Sequence, residues 1–411
     1  MSESRDQLFV IVAMDFSERI QQYDFDFDGL AARIAAVSAE RAAAEIPRAL
    51  DSVAAGIELD LDDLVVLLSP AADSHLEAMA RAAEHLTRKR FGRVIQMYAP
   101  MYLSNYCHST CTYCGFSFGN KIKRLTLSVS DAVKEARLLH DAGIRHLLLL
   151  TGEDYKETPI DYLAEVCGIL SGLDGAASGG DDRESESADA RPFSFSSISL
   201  EVYPLKEDEY RLLRSRGMDG LAVYQETYDP RRYAEVHLGG MKKRMQYRLD
   251  CPDRAGRAGM RKIAVGALLG LSNPAADAAY TALHARHLMK QYWQSQVSLS
   301  LPRMRFAEGV NEIPNVTDRE YVRYLFAMRL FLPDAGLNLS TRESPALRDR
   351  LATLCVTHMS AGSRTEPGGY SGADSTEQFS VEDHRSIAQV SAMLEANRIE
   401  PVFVDWSPVL K

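Results

Sequence analysis

The sequence predicts a (β/α)8 barrel of the TIM type behind an N-terminal helical extension, an α/β fold, and three observations carry that expectation. Short apolar or β-branched runs recur along the chain, segments of helical period separate them, and polar residues gather just past their ends. Eight such runs fall at 94–98, 146–150, 197–202, 220–224, 262–267, 297–301, 337–341 and 355–359. Between them lie helical segments at 130–142, with Asp131 and Glu135 in its first turns, at 206–216 ending on Gly217, at 275–294, and at 318–331 ahead of Pro333. A chain of 411 residues that is 46% hydrophobic has room for one barrel of roughly 250 residues together with extensions.

Residues 1–91 read as the helical extension, with helical spacing from Leu30 onward and again over 75–91. The apolar run 8–14 is too short for a signal segment and lacks a cleavage site, so a cytoplasmic protein is expected. The barrel is expected over 92–380. Within it, 171–191 is rich in Gly, Ser, Ala, Asp and Glu without apolar period, and reads as a disordered insertion before the third strand. Residues 381–411 are expected to pack on the barrel as a terminal helix (381–397) and a strand-like tail (401–406). No apolar stretch approaches the roughly 20 residues that cross a bilayer. A net charge of -10 argues against an electrostatic grip on nucleic acid or anionic lipid, which leaves small molecules and proteins as partners.

The polar residues at the expected strand ends are Thr151, Gly152, Glu153, Glu201, Gln225, Glu226, Thr227, Arg303, Arg342, Glu343 and Ser360. Any one of them alone is an ordinary loop start. Repeated on successive strands, they mark the face of such a barrel that carries chemistry.

Three of the six cysteines cluster as Cys107, Cys111 and Cys114, a C-x3-C-x2-C loop directly after the first strand. A loop of this size can give three thiolates to a 4Fe–4S cube and leave the fourth iron open. The alternative is zinc, which takes four protein ligands in structural sites. No second C-x2-C or H-x3-H exists in the chain, and His108 sits too close to Cys107 for an easy tetrahedral closure. Cys167, Cys251 and Cys355 are scattered and read as buried thiols.

With Tyr113 just before its last cysteine, the loop resembles that of the radical S-adenosylmethionine (SAM) superfamily. The resemblance implies a cluster whose open iron binds the amino and carboxylate groups of SAM and whose reduction releases a 5′-deoxyadenosyl radical, the protein supplying aim and a dry cavity. Thr151-Gly152-Glu153 resembles the superfamily's Gly-Gly-Glu element, with Thr for the first Gly, which implies that Gly152 and Glu153 receive the methionine ammonium. Tyr113, Glu226 and Arg303 are placed with the SAM contacts. For Glu226 the alternative is a surface acid beside Arg231 and Arg232.

Four stretches carry a narrower resemblance, to the 2-iminoacetate synthase family, the tyrosine lyases of thiamine thiazole formation. They are 102–105 (Tyr-Leu-Ser-Asn), 223–228 (Val-Tyr-Gln-Glu-Thr-Tyr), 340–345 (Ser-Thr-Arg-Glu-Ser-Pro), and 359–363 running on to the Pro-Gly-Gly-Tyr at 367–370. Similarity extends from 24 to 406, broken by the insertion. It implies cleavage of the Cα–Cβ bond of L-tyrosine to 2-iminoacetate and p-cresol, alongside methionine and 5′-deoxyadenosine. It also implies an electron donor such as flavodoxin or ferredoxin, and a thiazole synthase that receives the labile imine. Arg342 offers a planar fork for the substrate carboxylate, with the Ser360 hydroxyl on the next strand end and Tyr102 beside the substrate. The alternative for Arg342 is an ion pair with Glu343 or Asp349. Because cleavage needs orientation and exclusion of water, no conventional acid–base pair is expected to dominate. Rival readings are a hydrogenase maturase that also cleaves tyrosine, which carries a second cysteine-bound cluster whereas no cysteine follows Cys355 here, a tryptophan lyase, and a non-catalytic metal-binding scaffold.

Overall fold

Alternation along the strands builds two surfaces. In the computed structural model, which describes residues 15–22, 26–174, 192–310 and 312–404, Ile95, Met97, Ala99 and Met101 of the first strand are buried against the helical layer. Their neighbours Gln96 and Tyr98 face the lumen instead. The apolar run 8–14, most of the acidic insertion and the end of the tail lie outside the described residues.

In chain order the strands are β1 (Val94–Ser104), β2 (Thr110–Cys111), β3 (His146–Thr151), β4 (Ser197–Glu201), β5 (Gly220–Glu226), β6 (His237–Gly239), β7 (Lys262–Ala267), β8 (Gln296–Ser300), β9 (Gly336–Leu339), β10 (His358–Ser360) and β11 (Glu400–Val402). Eight of them form the barrel in the order β1, β3, β4, β5, β7, β8, β9, β10, all parallel. It closes where Gln96, Met97 and Tyr98 pair with His358, Met359 and Ser360. The tail strand β11 joins in parallel at the start of β1, Val94 opposite Glu400.

Helices Val129–Asp141, Ile160–Leu170, Glu207–Ser215, Cys251–Arg257, Pro274–Gln291, Asp318–Phe331 and Pro345–Leu354 cover the barrel. Their starts are capped as their sequences dictate: Ser128 accepts from the Asp131 amide, and Thr317 and Glu320 form a reciprocal capping box. Ahead of β1, helices Phe27–Ala35, Leu61–Leu68 and Leu76–Phe91 pack on Pro274–Gln291 and Asp318–Phe331, and Arg323 Nε donates to the Leu68 carbonyl at 3.1 Å. The helix Phe16–Gln22 is tied down by Asp253 and Asp250, which accept from the Phe16 and Ser17 amides at 3.1 Å.

Several expected boundaries move: the first strand runs past 98 to Ser104, and two shifts have readable causes. The terminal helix covers Ile387–Ala396 in place of 381–397, because Ser386 and Gln389 form its capping box while Asp383, fully buried, is held by Arg348 and Arg385 in the loop before it. The last barrel strand starts at His358, not at 355, because Cys355 ends the helix Pro345–Leu354.

One buried cation ties several elements together. Arg329 donates to the carbonyls of Pro333 (3.0 Å), Ala335 (2.7 Å) and Cys355 (2.9 Å), and burial lowers its pKa to about 10. Arg329→Met fills the space but leaves three carbonyls without a donor, so an unfolding free energy lower by about 3 kcal/mol is expected in urea titrations.

Candidate active site

The cysteine loop is pinned on every side. Cys111 on β2 pairs with His237 on β6, its amide donates to Ser117 Oγ at 3.1 Å, and Arg124 donates to the carbonyls of Phe116 (2.8 Å) and Ser117 (2.7 Å). Gly152 lies flush under the loop: a Cβ there would collide with the Tyr106 carbonyl and reach Cys107 Cβ at 3.0 Å. Gly152→Ala is expected to displace the loop at a cost of about 2 kcal/mol and to lower the iron content of reconstituted protein, read by iron analysis.

Three thiols share this loop, and Cys111 senses the charge of both Cys107 and Cys114. Burial pushes Cys107 up to about 12, with Glu153 and Cys114 adding to the effect, and Cys111 and Cys114 move the same way. Thiolates in so dry a place need metal cations beside them. Structural zinc takes four protein ligands, and this loop offers three thiols. A cube takes one thiolate at each of three corners, and the donor set of this loop fits it. Cys167, Cys251 and Cys355 are each buried away from the loop in the helical layer, as expected.

Next to the loop runs a charged network that sequence reading found only in part. Glu153 accepts from Arg248 Nη1 at 2.8 Å and from Ser109 Oγ at 3.0 Å; Glu226 accepts from Lys242 Nζ at 2.6 Å. Burial would raise the Glu226 carboxyl, but Lys242 and Arg248 overcome it and hold it low. Glu226 is therefore no surface acid: Arg231 and Arg232 turn to Asp28 and Glu235. Its backbone has φ of 73°, a left-handed conformation costly for a residue with a Cβ and typical of functional sites. Lys242 and Arg248 were missed because they follow β6, away from any barrel strand end. The readable signal was the Gly239-Gly240 pair, since a Cβ on Gly240 would collide with Ser109.

Above the lumen, at the carboxyl ends of the strands, lies a cavity of about 110 Å³ lined by Tyr102, Tyr113, Cys114, Glu201, Glu226, Lys242, Arg342 and Ser360, among others. Tyr113 donates to or accepts from His237 Nε2 at 2.7 Å, which leaves its ring as the wall. Tyr102 donates to Gln378 Oε1 at 2.8 Å, and Gln378 in turn approaches Cys114 Sγ at 3.6 Å. The Arg342 guanidinium lies 3.3 Å from the Phe379 ring centre. It has no carboxylate partner among the described residues: Glu343 is taken by Arg303 and Arg305, Asp349 by Arg385. Desolvation lowers its pKa against the opposing charges of Tyr102, Glu226 and Glu201. Ser360 sits opposite Tyr98, whose hydroxyl bonds to it.

Arg303 does not join this group. Pro302 and Met304 line the cavity, but the side chain between them points away, onto Glu343, Asp318 and the Val316 carbonyl, so the expected SAM contact is corrected to a structural ion pair. A larger hollow of about 580 Å³ occupies the amino-end half of the lumen, among polar side chains such as Gln96, Ser199 and Asn338, and shares Tyr98, Leu148 and Tyr224 with the upper cavity.

Comparison with known proteins agrees with this architecture. Residues 101–280 match the Radical SAM superfamily and residues 300–400 the Biotin and Thiamin Synthesis associated domain. The chain is 42% identical over 400 residues to the 2-iminoacetate synthase of Escherichia coli (strain K12), covering 96% of this chain and 97% of that one. The 2-iminoacetate synthase of Salmonella typhimurium is 42% identical over 371 residues, 89% of this chain and 91% of the relative. The crystal structure of a FeFe-hydrogenase maturase superposes with a TM-score of 0.81 at 26% identity, over 92% of this chain and 79% of the maturase. With near-complete coverage at that identity, the chain belongs to the 2-iminoacetate synthase family of the radical SAM superfamily.

Proposed function

We propose that the upper cavity holds L-tyrosine for cleavage of its Cα–Cβ bond to 2-iminoacetate and p-cresol, the step that feeds the thiazole of thiamine. Membership of the family makes the chain a radical SAM lyase with a 4Fe–4S cluster and SAM as cofactors. The observation that carries the reading of the cavity is Arg342, a half-buried cation without a carboxylate partner among the described residues, in the same cavity as Cys114. Cys107, Cys111 and Cys114 would hold the cluster, and Gly152, Glu153, Glu226 and Tyr113 would surround SAM. When bound, cluster and SAM supply the radical that removes hydrogen from the substrate nitrogen.

The protein's own part is placement. A carboxylate entering the cavity meets the Arg342 fork and the Ser360 hydroxyl, two donors on neighbouring strand ends. Tyr102, fixed by Gln378, limits where the side chain can turn. The apolar walls Leu148, Leu150, Leu268 and Met304 keep water out while the carbon–carbon bond breaks.

An electron-donor protein such as flavodoxin or ferredoxin and a thiazole synthase that takes the imine complete the scheme. A cytoplasmic setting suits three reduced thiols that must hold an iron–sulfur cluster. The test is anaerobic incubation of reconstituted protein with SAM, reductant and either tyrosine or tryptophan. Release of p-cresol from tyrosine is expected; SAM cleavage without p-cresol overturns the substrate.

A further inference from the structure

Glu201, the last residue of β4, lines the same cavity as Arg342 and Ser360. The other carboxylates near the site are engaged: Glu153 by Arg248 and Ser109, Glu226 by Lys242 and Arg248, Glu343 by Arg303 and Arg305. Among the described residues the Glu201 side chain has no ion pair and no hydrogen bond. The groups that face it are Glu226, Lys242, Arg248 and Arg342, with the hydroxyls of Tyr98, Tyr102 and Tyr224.

An amino acid bound through its carboxylate at Arg342 brings an ammonium into the same small space. In a dry cavity that ammonium needs an anion, and Glu201 is the carboxylate left to provide one. We propose that Glu201 is the general base of the reaction, taking one proton from the substrate ammonium so that the nitrogen is a neutral amine when hydrogen is removed from it. One N–H bond breaks, its electron pair stays on nitrogen, an O–H bond forms on Glu201, and no oxidant or reductant enters. The pair that results, amine and carboxylic acid, is uncharged, which a low-dielectric site favours. Burial, helped by the charge of Glu226, pushes the Glu201 carboxyl up to about 7 against the pull of Lys242, Arg248 and Arg342, a value suited to a base at neutral pH. The proposal rests on the tyrosine-lyase reading of the cavity.

The test compares wild-type, Glu201→Gln and Glu201→Asp holoenzymes, each reconstituted anaerobically and supplied with SAM, reductant and tyrosine. For Glu201→Gln the cluster spectrum is expected to persist while kcat for p-cresol falls about 100-fold at pH 7. Its rate should recover at alkaline pH, where tyrosine enters as the free amine. The wild type should lose activity on acidification through the Glu201 range, because a protonated carboxyl accepts nothing; Glu201→Asp should keep that acid limb, and Glu201→Gln should lack it. A Glu201→Gln enzyme with wild-type kcat overturns the proposal, as does a loss without alkaline recovery, which marks a structural role. If the wild type cleaves SAM but yields no p-cresol from tyrosine, the lyase reading itself fails and the proposal falls with it.

Discussion

Cys111→Ser is expected to yield a folded, colourless protein with p-cresol formation at background. The backbone of this residue is secured independently of any metal, by the β2–β6 pairing and the hydrogen bond to Ser117, so the fold should survive. What is lost is a soft thiolate ligand; a buried serine hydroxyl stays protonated and binds iron weakly. With one corner unheld, the cube is left with two protein ligands. Iron and sulfide analysis checks this against Cys167→Ser, Cys251→Ser and Cys355→Ser, which lie in the helical layer and are expected to keep full iron content. A brown, active Cys111→Ser protein would dismiss the cluster assignment.

Arg342→Ala is expected to leave the cluster spectrum intact while lowering kcat/KM for tyrosine by roughly 10² to 10⁴-fold. The figure follows from about 3–5 kcal/mol for a buried charge left without its partner. Arg342→Lys should fall between, because an ammonium cannot pair with both carboxylate oxygens as a planar fork does. In the absence of substrate the sign reverses. Arg342 is then a half-buried cation with no ion pair among the described residues, so the alanine variant is expected to unfold at equal or slightly higher denaturant concentration, a trade of stability for binding. Steady-state kinetics and a urea titration read the two effects separately, and unchanged tyrosine kinetics would show that the carboxylate binds elsewhere.

The barrel was legible because its strands are short and apolar between helices of clear period: β7 and the helix Asp318–Phe331 lie where the pattern puts them. The pattern weakened where tertiary contacts decide. β2 and β6 are two and three residues long, too short for any alternation, and exist because the cysteine loop folds against the segment after β5. At the site, strand-end position identified Arg342, Ser360 and Glu226, but could not say which way a side chain turns. Arg303 shared the position and turned to Glu343. Lys242 and Arg248 sit on the short helices Met241–Lys243 and Met245–Leu249 and Gln378 in a loop, away from their contacts in sequence: Gln378 reaches Tyr102 across 276 positions, a relation no local pattern encodes. Glu201 was visible as a strand-end acid, but that its side chain has no ion pair among the described residues is seen only in the folded chain.

All of this depends on a vacant iron beside the cavity. Electron paramagnetic resonance of the reduced, reconstituted protein with and without SAM addresses it most directly. A cluster signal that changes when SAM is added, and does so in Arg342→Ala as well, is the expected result. A signal indifferent to SAM, or none from protein carrying all three loop cysteines, would contradict the account.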